Sequence, residues 1–237
     1  PVWTRTAGEM KAVVADKITA PKKIIYKVYR GAESKKDKEK AGKHDLRYDL
    51  TYLYPGRFNK LASSGELSKT FGHYHNKDYP EITGVISGTL WFLMQRYDKN
   101  PKNIKEVYLV EAKKGEKVIS PPHFGHISIN PSKTKTLVTC DWLSLKEKSD
   151  YKPYEKLHGA CYYAIRNAKR GINFQKNKNY AKVPKLIRLR PKEVTEFGAI
   201  QSKSLYSLIK TPDKLEFLNN PKKYKKILTI KNCYRKI

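Results

Sequence analysis

GHYHNKDYPE, residues 72–81, and PPHFGHISIN, residues 121–130, bracket the stretch on which the rest of the chain depends. Successive side chains of a strand alternate between its faces, so His73 and His75 project from the same side while Tyr74 turns away. Two imidazoles so placed form a chelating pair. Glu81 follows a turn-like run containing Asn76, Lys77, Asp78 and Pro80, and His126 opens a later strand, HISIN. Three imidazoles and a carboxylate make a nitrogen and oxygen donor set without thiolate. It suits one divalent ion, whether iron, manganese, nickel or zinc.

The spacing is more specific than the donor types. Six residues separate Glu81 from Gly88; five follow Gly115 before Pro121, four more precede His126, and three more precede Asn130. This resembles the paired signature of the cupin superfamily, in which two characteristic segments line one small β-barrel and hold one metal. The gap between His75 and Glu81 is longer than the usual one, and His123 stands where many cupins have glycine.

Composition sets the limits around that reading. At 237 residues the chain can bury a full core, and one domain with an appendage is expected. No run reaches the length of an apolar transmembrane helix, and the opening PVWTRTAGEM lacks the order of a signal peptide. No membrane partner is therefore expected. Cys140, Cys161 and Cys233 are too few and too scattered for a disulfide framework or a zinc ribbon, which points to a reducing cytoplasm. The formal charge of +28 is spread along the chain as lysine, accompanied by abundant Ile, Asn and Tyr, as an AT-rich genome would impose. A positive field of this kind draws in an anionic metabolite as well as RNA.

The expected organisation is an N-terminal segment over 1–22, a barrel domain over 23–165, an extended arm over 166–191 and a basic, helical tail over 192–237. Within the first segment a short helix is expected over 7–16. KIIYKVYR, residues 23–30, reads as a strand with Tyr26 opposite Lys27. The charged run 34–44 reads as a solvated loop. DLRYDLTYLYPG, residues 45–56, alternates Leu46, Tyr48, Leu50, Tyr52 and Tyr54 with Arg47, Asp49, Thr51 and Leu53, the pattern of a strand ending in a Pro-Gly turn. A second turn is expected over 61–65, and a tight hairpin around Ser87-Gly88. Lys114-Gly115 turns the chain again, and the barrel should close near Trp142. Many short strands at regular turn spacing favour a barrel or sandwich over parallel α/β. In the tail the apolar positions Leu205, Leu208, Ile209, Leu215 and Phe217 are scattered, but Leu205 to Ile209 have helical spacing, and a helix docked on the barrel or on a second subunit is expected.

Further residues narrow the chemistry. YKVY, TYLYPG, T-x-G-H-x-H, the glutamate with β-rich sequence behind it, PP-x-x-x-H-x-x-x-N and a later Asp-Tyr pair recur in the order in which they stand in the cupin-type (archaeal-type) phosphoglucose isomerases. The chain resembles that family from about residue 23 to 130, and more weakly to 165. The resemblance implies an all-β dominated fold, a cupin β-barrel (double-stranded β-helix, or jelly roll) with a mostly helical C-terminal tail. It makes His73, His75, Glu81 and His126 the ligands of one divalent metal; isomerisation also needs a base, for which the Glu81 carboxylate is the candidate on chemical grounds, with a hydride shift as the rival mechanism. It makes Thr51, Thr70 and Gly72 the phosphate cradle, Tyr26 a sugar contact, and Tyr151 of the Asp150-Tyr151 pair the residue that closes the pocket. The implied reaction interconverts glucose 6-phosphate and fructose 6-phosphate in a homodimer. Tyrosines of the family pattern are replaced by Thr83 and, at the end of the last barrel strand, by Trp142. The alternative is a non-catalytic cupin that binds a sugar phosphate or nucleic acid through its basic surface; nucleic acid is not favoured.

Overall fold

The structure, a computed structural model, describes residues 1–15, 17–59, 63–75 and 78–237. The end of the expected helix over 7–16, the start of the turn expected over 61–65, and Asn76 and Lys77 lie outside the described residues. In chain order the elements are β1 (Val2–Thr6), β2 (Ile24–Arg30), α1 (Lys35–Lys43), β3 (Leu46–Leu53), β4 (Ser64–Glu66), β5 (Tyr74–His75), β6 (Glu81–Ser87), β7 (Thr89–Tyr97), β8 (Ile104–Lys113) and β9 (Lys117–Ser120). There follow β10 (Gly125–Ile129), β11 (Leu137–Ser144), β12 (Ser149–Asp150), α2 (Lys152–Lys156), β13 (Tyr162–Asn167), β14 (Gly171–Lys176), β15 (Ile187–Pro191), α3 (Ile230–Cys233) and β16 (Tyr234–Lys236).

Two sheets make the body. One has the order β1-β2-β3-β11-β6-β9, the other β10-β7-β8-β15-β16, and their inner faces share one apolar core and one cavity. This is the double-stranded β-helix of a cupin. All the pairings within these two sheets are antiparallel except β15 with β8.

The expected hairpin at Ser87-Gly88 is not one. β6 pairs with β11 and β9, whereas β7 pairs with β10 and β8, so the chain crosses from one sheet to the facing sheet at this turn. Gly88 has φ +86°, and a Cβ there would lie 3.2 Å from the Leu137 backbone. Glycine alone fits both conditions. The hairpin of this region is β7 with β8.

The charged run 34–44 is a second correction. Residues 35–43 form α1, and Ser34 caps it: its Oγ accepts from the Asp37 N–H at 3.2 Å and donates to the Asp37 carboxylate at 2.8 Å. Capping supplies a partner for an N–H that a helix otherwise leaves bare. Ala41 is the residue this helix buries, and all of 35–43 is charged apart from Ala41 and Gly42. Of the expected helix over 7–16 the structure contains a 3-10 turn at Gly8–Val13, and β1 before it pairs with β2.

The strand pattern of 45–56 has an inverted logic. The polar positions Arg47, Asp49 and Thr51 face the cavity, while Tyr48 packs on Trp142 and on Tyr206 of the tail, both with ring centroids 5.0 Å away. This sheet is covered on both faces. The tail does the covering through 3-10 helices at Leu205–Lys210, Pro212–Leu218 and Pro221–Tyr224, which bury Leu205, Leu208, Ile209, Leu215, Phe217 and Leu218. Trp142 Nε1 donates to the Leu205 carbonyl at 3.0 Å. The Lys117 ammonium is held by the carbonyls of Gly115, Ile200, Gln201 and Lys203. Within 166–191, β14 folds back on β13, and β15 enters the five-stranded sheet. Among the described residues no helix is long and apolar enough to cross a membrane.

Candidate active site

His73, His75, Glu81 and His126 come together: one donor atom from each lies within 4.8 Å of all the others. The backbone arranges this. His73 and His126 exchange N–H···O bonds (3.3 and 3.0 Å), a two-residue bridge that sets their rings 4.7 Å apart. The period-2 rule then carries His75 to the same side, its ring stacked on His73 at 5.2 Å. Gly72 makes the approach feasible. It has φ +88°, and a Cβ there would lie 2.4 Å from Ile127 Cγ2 and 2.8 Å from the Tyr154 ring.

Second contacts decide which atoms face inward. His75 Nδ1 lies 2.7 Å from the Tyr79 carbonyl, an acceptor, which turns Nε2 toward the cluster. Glu81 Oε2 is 3.5 Å from His75 Nε2 and 3.6 Å from His126 Nε2, while Oε1 accepts the Thr83 hydroxyl at 2.8 Å. His75 Nε2 is buried without a hydrogen-bond partner. Bare buried acceptors converging on one point are costly unless a cation lies among them, so the residues fit a divalent metal.

Electrostatics agree with that fit at two of the three imidazoles; at His75 burial works to lower the ring, but Glu81, Glu147 and the Tyr79 carbonyl outweigh it and raise it. Burial first, then the neighbouring His126 and His75, holds the His73 imidazole well below its usual range. Burial pushes His126 down to about 4, against the opposing pull of Glu81. Both rings are thus neutral donors. For Glu81, burial works to raise the carboxyl, but His126, His75 and His73 outweigh it and keep the group below the usual carboxylate range.

A cavity of about 110 Å³ opens beside the cluster. His73, Glu81 and His126 line it, and so do all five other residues singled out from the sequence: Tyr26, Thr51, Thr70, Gly72 and Tyr151. Thr70 Oγ1 accepts the Ser128 N–H at 2.9 Å, which leaves its own hydrogen to donate. The Tyr151 ring lies 5.6 Å from those of Phe71 and His73. Burial pushes the Tyr26 phenol up to about 12.

Trp142 requires correction. It stands on the outer face of β11 beneath the tail, and its neighbours Asp141 and Leu143 line the cavity instead. His123, at φ +70°, stands outside the cavity with a side chain 60% exposed.

Several charged residues of the wall went unrecognised in the sequence. Arg30, Asp49, Asp141 and Thr83 stand in mutual register across β2, β3, β11 and β6, a polar row over the cavity face. Arg47 clasps both oxygens of Asp49, at 2.9 to 3.1 Å. Burial, with Glu81 and Asp49 nearby, pushes the Asp141 carboxyl well up. Glu147 lies at the metal end, 3.8 Å from His75 Nε2, and burial raises it too. Alternation alone signals part of this: Arg30 shares a face with Tyr26, and Arg47 and Asp49 share one with Thr51.

A family model described as glucose-6-phosphate isomerase (GPI) matches residues 4–182. No curated protein matches the sequence. Among solved structures, vicilin from Corylus avellana (hazelnut) is similar at TM-score 0.38 and 11% identity, covering 58% of this chain and 33% of that one. Oxalate oxidase in complex with the substrate analogue glycolate is similar at TM-score 0.37 and 14% identity, covering 64% and 54%. A cupin-2 domain containing protein from Shewanella frigidimarina gives TM-score 0.27 and 14% identity, covering 42% and 71%. The chain spans about a third of the vicilin and about half of the oxalate oxidase.

Proposed function

Because the chain belongs to the glucose-6-phosphate isomerase family, in its cupin-type branch, we propose that it is a metal-dependent aldose-ketose isomerase interconverting glucose 6-phosphate and fructose 6-phosphate. The observation that carries the reading is the meeting of two unlike groups on one cavity: imidazoles and a carboxylate at one end, Thr51, Thr70 and Gly72 beside them. A phosphate monoester accepts hydrogen bonds, which two hydroxyls and a backbone N–H supply. The imidazole end then receives the first two carbons of the open-chain sugar.

Isomerisation moves hydrogen between those carbons. In the proposal Glu81 takes the proton from C2 through Oε1, the oxygen turned away from His75 and His126, and returns it to C1. The electron pair of the broken C–H bond becomes the C1–C2 double bond of an enediol(ate) as the C1 carbonyl pair moves onto O1; the O2 proton passes to O1, and the C2 carbonyl forms as C1 takes the other proton. Held by His73, His75, Glu81 and His126, a divalent cation supplies stabilisation for the negative charge developing on the sugar oxygens. Tyr26 and Tyr151 wall the sugar, and Thr83 fixes the Glu81 carboxylate. A homodimer in the cytoplasm is part of the same proposal.

A coupled assay for fructose 6-phosphate turnover, run with chelator and with divalent metals added back one at a time, tests the function. Turnover lost on chelation and restored by metal is expected; binding without turnover under every metal would defeat the reading. Substrate deuterated at C2 tests the base: loss of label to solvent is expected, whereas complete retention at C1 would replace Glu81 with a hydride shift.

A further inference from the structure

Glu147 is a carboxylate to which the isomerase reading gives no task. It lies between β11 and β12, lines the same cavity and has a side chain only 5% exposed. Its Oε1 is buried with no hydrogen-bond partner and points toward His75 Nε2, 3.8 Å away. That nitrogen has no hydrogen-bond partner either, while Nδ1 faces the Tyr79 carbonyl at 2.7 Å. Glu81 Oε2 faces the same nitrogen from 3.5 Å. The Ser149 side chain and the Arg47 guanidinium, itself clasped by Asp49, favour the Glu147 carboxylate, but neither bonds Oε1. Two carboxylate oxygens and an imidazole nitrogen therefore converge in a buried space, 3.5 and 3.8 Å from oxygen to nitrogen. A divalent cation placed among them would be held by all three.

We propose that Glu147 is a fifth protein donor to the divalent cation, making the set three imidazoles and two carboxylates. The inference rests on the metal site of the preceding reading but not on isomerase turnover. Glu147 Oε1 stands outside the four donors grouped within 4.8 Å, so the proposal requires its side chain to turn toward the cation. A second carboxylate makes the site harder and more oxygen-rich. Five protein donors also fill most of an octahedron and overfill a tetrahedron, so Glu147 would favour six-coordinate manganese or iron(II) over zinc.

The test uses the full chain and the Glu147→Gln variant, each metal-free, loaded with Mn²⁺ alone, or loaded with Zn²⁺ alone. Chelator competition gives the dissociation constants, X-ray absorption gives the coordination number, and thermal melting follows the metal-free forms. Glu147→Gln should weaken Mn²⁺ binding at least ~10-fold, the lower end of what lost support costs a metal site, and weaken Zn²⁺ binding less. It should remove one oxygen ligand from the Mn²⁺ form. The metal-free variant should melt no lower than the parent, because the substitution removes a stranded buried charge. Unchanged Mn²⁺ affinity with unchanged coordination overturns the proposal, as does a metal-free variant that melts lower, which would make Glu147 a packing group. If the unsubstituted protein binds neither ion, the metal reading itself falls; if it binds both and the variant is indistinguishable, the Glu147 proposal falls alone.

Discussion

Thr83 donates to Glu81 Oε1 at 2.8 Å, on the side of the carboxylate away from the imidazoles. That bond holds the carboxylate plane, so Thr83→Val should lower kcat roughly 10-fold with metal content unchanged, in keeping with one lost hydrogen bond to a charged group. Steady-state kinetics with metal analysis checks it. Thr70 has two duties. Its oxygen accepts the Ser128 N–H, and its hydrogen is left for the phosphate. Thr70→Val should raise KM for the sugar phosphate with a smaller change in kcat, and should also cost about 1–3 kcal/mol of stability by stranding that N–H. Unchanged KM would remove Thr70 from the cradle. The three histidines and Glu81 were legible because they lie in two short segments whose spacing carries the pattern. Asp141 and Glu147 were not, since their neighbours come from strands distant in sequence, and a charged residue on a strand reads as solvent-facing until a cavity is known to exist behind it.

At the scale of elements, local chemistry was readable in principle but was outweighed by composition. The run 34–44 is so rich in lysine that it reads as loop, yet Ser34 followed three residues later by Asp37 is a helix-start pattern. Ser34→Ala should cost about 1 kcal/mol in denaturant unfolding, the usual worth of a cap. Tyr206 of the tail adds to this junction: its hydroxyl donates to Asp37 at 2.6 Å and accepts the Ser34 N–H at 3.0 Å. The tail's apolar residues Leu205, Leu208, Ile209, Leu215 and Phe217 are buried, but Pro212 and Pro221 stand at the starts of successive short turns, where each lacks the N–H needed to continue the previous one. The result is a chain of 3-10 turns. Ser87-Gly88 had the look of a hairpin because a glycine turn between two strands is also what a crossing between sheets requires. The sequence of the turn is silent on which partners the two strands will find.

For the molecule as a whole, the tail is part of the fold. Trp142, 0% exposed, has its indole N–H on the Leu205 carbonyl, and Tyr234 in β16 presses its hydroxyl on the Ile119 backbone. Deleting 192–237 would bare Trp142 and Tyr48 and strip β15 of its outer neighbour. The truncated protein should show a markedly lower melting temperature and weaker metal retention, read by calorimetry and metal analysis; an unchanged melt would mean that the tail only rests on the barrel. The crossing at Gly88 has a further effect, on the order of events in time. Because the chain leaves the six-stranded sheet after β6 and returns to it only with β9 and then β11, β11 must slot between β3 and β6, with Leu137 meeting Leu53 and Trp142 meeting Ile82. Such distant partners pay loop closure before contact repays it, so refolding from denaturant should be slow, milliseconds to seconds or longer. His73 cannot meet His126 until the walls have closed. A nascent chain would therefore carry its first two imidazoles exposed and unmatched until the second half of the barrel has been made, and metal uptake during refolding should follow the last phase, never the first.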